Sequence, residues 1–369
     1  MIICDGSALD WWRTPEDVRM RQVTKEDFAR LPEDGRLRDC CTIPLRRNAN
    51  EAVRAVHARL LGDLKGVNLP VQAICRPGER DTLSHILYAR RSYREIPARY
   101  LRDIGGGLAV TAPALTVLRY ANNLSLLESI ELMYEFAGTY GVWWPTRRAR
   151  AAQFLLAEDA RAEPPRPALE EPEVYERPPL LTIGELEQAV ADFPGMCGVA
   201  TTRRAVPYAR AGAASPFQAR LDMLLTLPVR VGGLAWPRPE LNAAIELSPE
   251  AQALEREERC RGDFVWPERR VALLVRAPDD GGGAAGPAAM GEFAAQSGRA
   301  RAIEAMGYTV FEAAPEQVVD GDALEALLSK MALTLQAPLP ARPHEPKRDW
   351  DTLVKRLFKP LPRPRPRWF

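Results

Sequence analysis

The stretch from Arg261 to Glu312 constrains the fold more than any other part of this chain. Phe264–Trp266 is a short run of β-forming residues, Pro267-Glu268 is turn chemistry, and Val271–Val275 is a continuous apolar run between turn signals. Such a run suits a strand buried on both faces. Met290–Met306 is rich in Ala, which predicts a helix, and Gly307 stands where a helix stops. Tyr308–Phe311 returns as a strand of β-branched and aromatic residues. The predicted order is strand, turn, strand, helix, strand. Ahead of it, Ser215-Pro216 caps a helix with an apolar face of Phe217, Leu221, Leu224 and Leu225, and Leu241–Leu247 reads as a further strand. Asp322–Leu335 follows as a closing helix.

A chain of 369 residues with 46% hydrophobic content has enough apolar side chain for two cores. The formal net charge is only +1, so no global field draws the protein to nucleic acid. No apolar run reaches the length of a membrane span, and the N-terminus lacks the charged-then-apolar layout of a signal peptide. A soluble, cytoplasmic protein without a membrane partner is the expectation. Cys4, Cys40, Cys41, Cys75, Cys197 and Cys260 form no C-x-x-C pair and have no clustered His, which points to buried free thiols rather than a zinc site.

The first 150 residues predict a small α+β domain. Ser7–Arg13 reads as a short helix, and Asn50–Leu64 as an amphipathic one with Val53, Val56, Leu60, Leu61 and Leu64 at helical spacing. Val71–Cys75, Ile86–Ala89 and Leu108–Thr111 read as strands. Thr111-Ala112-Pro113 starts a helix over Ala114–Ala121, and Ser125 with Glu128 opens Leu126–Phe136 in capping-box fashion. Residues 151–181, Pro- and Glu-rich from 157 onward and without an apolar period, predict an extended, exposed linker. Thr182 and Glu185 form a second capping box, placed at the start of a domain over 182–336, with helices at 183–192 and about 195–209.

Residues 337–369 read as a basic, Pro-rich tail. From Arg342 onward it carries nine Lys and Arg against three acids. Trp350, Leu353, Leu357 and Phe358 have the spacing of a short amphipathic helix, and Pro360–Pro366 that of a polyproline run ending in Trp368-Phe369. The tail reads either as a surface-draped terminus or as an arm in which Arg363, Arg365 and Arg367 meet phosphate and Trp368 stacks.

The words Ser215-Pro216-Phe217-Gln218, Arg261-Gly262-Asp263-Phe264, Trp266-Pro267-Glu268 and Ala305-Met306-Gly307-Tyr308-Thr309-Val310 occur in an order that resembles the C-terminal domain of proteins similar to the very-short-patch-repair endonuclease. The resemblance covers about 120 residues and implies a restriction-endonuclease-like PD-(D/E)XK fold, a mixed central sheet flanked by helices. In that family acids at the ends of the central strands hold Mg²⁺, which polarises a phosphodiester and activates water. A weaker resemblance over about 60 residues, carried by Leu83–Arg90, Ile96-Pro97 and Gly107–Pro113, is to a domain of abortive-infection antitoxin-type proteins. It implies a bacterial defence or regulatory setting.

The chain departs from the endonuclease pattern at the chemistry. Asp263 keeps the first strand acid, but Leu274 stands at the strand Glu, Gln218 at the helix Glu and Gln296 at the Asp that opens the late helix. Arg276 takes the Lys position and cannot act as a base. One carboxylate is a poor cage for Mg²⁺. Two readings follow from different classes. One is a non-catalytic nuclease-fold module, without cofactor, that binds nucleic acid or protein, with Arg276, Arg299 and the tail arginines as phosphate contacts. The other is an active Mg-dependent DNA endonuclease whose metal has moved to Asp263 with Asp279 or Asp280.

Overall fold

A computed structural model describes residues 1–21, 23–24, 27, 43–75, 81–92, 94–156, 172–255, 258–276, 297–340 and 350–359. The chain is mixed α/β and forms two compact units, Met1–Ala209 and Arg210–Lys359. Among the described residues no helix is long and apolar enough to cross a membrane.

The first unit is built on a six-stranded sheet. Its strands are β1 (Ile2–Ile3), β2 (Val71–Cys75), β3 (Thr82–Leu83), β4 (Leu87–Arg91), β5 (Leu101–Gly105) and β6 (Leu108–Thr111), in the order β3-β4-β2-β1-β6-β5. β1 runs parallel to β6 and antiparallel to β2, while β2 and β4 are parallel. The chain starts inside this sheet, and the Met1 amine donates to the Gly107 carbonyl at 3.1 Å. β1 feeds directly into α1 (Asp5–Arg13), followed by α2 (Glu16–Met20).

The predicted helix Asn50–Leu64 is shorter in the structure. Asn50 caps α3 (Glu51–Ala58) by accepting from the Val53 N–H, and turns follow from Arg59. Leu60 and Leu64 still enter the core with Val53, Val56, Val71, Ala73, Leu87 and Val110. The helix is interrupted where the Arg59 side chain swings to Asp63 and to the Ile104 and Gly105 carbonyls. Both capping boxes form, Ser125–Glu128 at α5 (Leu126–Ala137) and Thr182–Glu185 at α7 (Ile183–Asp192), with α4 (Pro113–Tyr120) before them.

Two expectations about domain organisation are corrected. The residues read as an exposed linker, 151–181, take in the last six residues of α6 (Arg147–Leu156) and all of β8 (Glu173–Glu176), which pairs antiparallel with β7 (Tyr140–Trp143). Four residues suffice because Tyr175 lies across Gly141, where a β-carbon would meet its ring at 2.7 Å, and its hydroxyl donates to the Arg13 carbonyl at 2.9 Å. The boundary expected at 181/182 falls at 209/210 instead. α7 and α8 (Val199–Ala205) belong to the first unit, held by Arg99 and Tyr100 on Asp192 and by the Tyr100 and Phe193 rings, 4.8 Å apart.

The second unit carries a four-stranded sheet of β9 (Glu240–Glu246), β10 (Arg259–Trp266), β11 (Val271–Val275) and β12 (Thr309–Ala313), in the order β12-β11-β10-β9. β9, β10 and β11 form an antiparallel meander, and β12 is parallel to β11. A parallel pair needs a crossover, and the chain supplies one with the helix α11 over residues 297–305, closed by Gly307 at φ 81°. Ser215 caps α9 (Pro216–Thr226) by accepting from the Gln218 N–H at 3.1 Å. Between β9 and β10 lies α10 (Pro249–Glu255); α12 (Pro315–Val319) and α13 (Gly321–Leu335) follow β12.

The tail expected over 337–369 is in part a packed element. α14 (Trp350–Leu357) buries Leu353 and Leu357 against the unit, and Phe358 meets the Phe217 ring at 5.5 Å. Residues 341–349 and 360–369 lie outside the described residues.

Candidate functional site

Asp263 sits in mid-β10. The ladder pairs Phe264 with Leu273 and Val265 with Ala272, so Asp263 falls opposite Leu274 on the same face. That face is otherwise apolar. Val265, Ala272 and Leu274 pack with Ala302 and Ile303 from α11, and Leu274 is fully buried. Buried hydrocarbon therefore stands opposite Asp263 on this face.

The Asp263 carboxylate is already committed. Its Oδ2 accepts from the Val275 N–H at 2.8 Å and from Arg299 Nη2 at 3.1 Å. The side chains are mostly buried, 16% exposed for Asp263 and 23% for Arg299. Burial pushes the carboxyl pKa up from the ordinary aspartate value, while the Arg299 guanidinium and the Val275 N–H hold it back. Arg299 thus supplies the positive charge beside the Asp263 carboxylate. In the structure the Arg299 guanidinium is paired with Asp263. Arg301, two residues on, is exposed.

Gln218 is a structural clamp. It is 2% exposed, and its Nε2 donates to the Asp263 carbonyl at 2.8 Å. Its Oε1 accepts from Ala214 N at 2.6 Å and from Asn242 Nδ2 at 2.8 Å. The side chain therefore ties α9 to β9 and β10 with its hydrogen-bonding atoms already engaged. Arg276, just beyond β11, lies 3.3 Å from Glu312 of β12, an exposed pair that closes the parallel ladder. Gln296, Asp279, Asp280, Arg363, Arg365, Arg367 and Trp368 lie outside the described residues.

Among the described residues no three His, Cys, Asp or Glu gather in a way that could hold a metal ion. Of the free cysteines, Cys4, Cys75 and Cys260 are buried, but Cys197 is exposed, against the expectation of uniformly buried thiols. No family model, curated protein or solved structure matches this chain.

The sequence missed the pairing of Asp263 with Arg299. The two lie 36 residues apart, and α11 brings them together only by crossing back over the sheet. The available signal was the odd Arg at the first turn of an otherwise Ala-rich helix beside an Arg with no apparent role.

Proposed function

We propose that the second unit is a restriction-endonuclease-type domain that no longer cuts DNA, and that the protein serves as a binding module with nucleic acid as the partner and the C-terminal arginines, which follow that unit in the chain, as the contact. The observation that carries the loss of catalysis is the Asp263–Arg299 pair opposite buried Leu274. Mg²⁺ takes oxygen ligands at close to 2.1 Å in octahedral geometry and is held through one or two carboxylates plus substrate phosphates. Among the described residues the site offers one carboxylate, already neutralised by a guanidinium, and such a pair has no net charge to attract a dication. What supports the family reading is the element order, a capped helix, an antiparallel meander of three strands, a helix and a parallel fourth strand. This is the mixed sheet flanked by helices that the resemblance implies.

The test is direct. Purified protein incubated with supercoiled plasmid and Mg²⁺ or Mn²⁺ should leave the plasmid intact. Nicking that disappears in Asp263→Ala would overturn the proposal.

Nucleic-acid binding is tested at the tail. Since Leu353 and Leu357 are part of the second unit's core, the deletion must spare α14 and remove only residues 360–369. This removes Arg363, Arg365 and Arg367. A gel shift with duplex DNA should be lost or weakened, and the slope of log affinity against log salt should fall by about 3, close to one per phosphate contact removed. A shift of unchanged strength and salt slope rules the tail out as the contact.

A further inference from the structure

We draw no further inference here: the strongest candidate, the cavity of about 340 Å³ in the first unit between β2, β4 and the end of α4, carries nothing because Arg119 and Arg91 of its lining already pair with Asp5 and Asp81 and nothing in the structure shows what fills it.

Discussion

Arg299→Ala is expected to cost the second unit about 2–3 kcal/mol at neutral pH, measured by denaturant unfolding. Removing one partner of a largely buried ion pair leaves the other charge uncompensated, which typically costs roughly 3–5 kcal/mol when burial is complete. Here both side chains keep some solvent contact, so the figure is scaled down. The loss should depend on pH with a definite sign. Asp263 has a folded-state pKa above its ordinary value because burial outweighs its partners. Such a group adds stability below the unfolded pKa and loses it as pH rises through the folded one. Without Arg299 that folded pKa climbs further, so the window widens upward. The variant should therefore approach the parent protein in acid, as the carboxyl protonates, and fall furthest behind at neutral pH. Asp263→Asn should recover much of the loss in the Arg299→Ala background, because the amide oxygen can still accept from Val275 without carrying charge. A pH-independent deficit, or strict additivity of the two substitutions, would mean that the pair is not what Arg299 contributes.

The second large effect is expected at Gly198, the N-cap of α8. Its φ is 90°, and a β-carbon there would fall on the Leu118 carbonyl oxygen, with the Asn122 nitrogen at 3.2 Å. Gly198→Ala should destabilise the first unit by about 3 kcal/mol or more, combining left-handed strain with overpacking against backbone that cannot rotate away. Gly195 supplies the control. It has φ 75°, but nothing lies within 4 Å of its β-carbon position. Gly195→Ala should cost only about 1 kcal/mol. Equal losses at the two sites, read from thermal or denaturant melts, would show that the Leu118 contact is relieved by movement.

Local signals carried much of this architecture. Ser125–Glu128 and Thr182–Glu185 announce their helices because a cap is a contact between residues three apart, and both boxes form. Val71–Cys75, Leu108–Thr111 and Val271–Val275 stand out as strands because almost every residue in them is buried. Strands with mixed surroundings were harder to delimit. β10 begins at Arg259, well before its apolar part, because Arg259 pairs across the ladder with Glu246 in the exposed stretch. β8 was hidden by composition, since Glu173 and Glu176 flank Val174 and Tyr175 within a Pro- and Glu-rich run.

The sites were less legible than the strands. That Leu274 and Gln218 carry no charge is plain from the sequence, but the pairing of Asp263 with Arg299 is not, because Arg299 arrives through tertiary packing. Gln72, Ile74, Tyr88 and Arg90 alternate with core residues along their strands and become neighbours only once β2 and β4 pair.

The return of the chain through β8 changes what residues 157–171 connect. The elements on either side of them, α6 and β8, both belong to the first unit, so they join one body to itself. Proteolytic cleavage there would leave both fragments gripping the same sheet and helices, and they would travel together through a sizing column. A chain begun at Thr182 would instead strand α7 and α8 away from the helix and aromatic ring that shelter them.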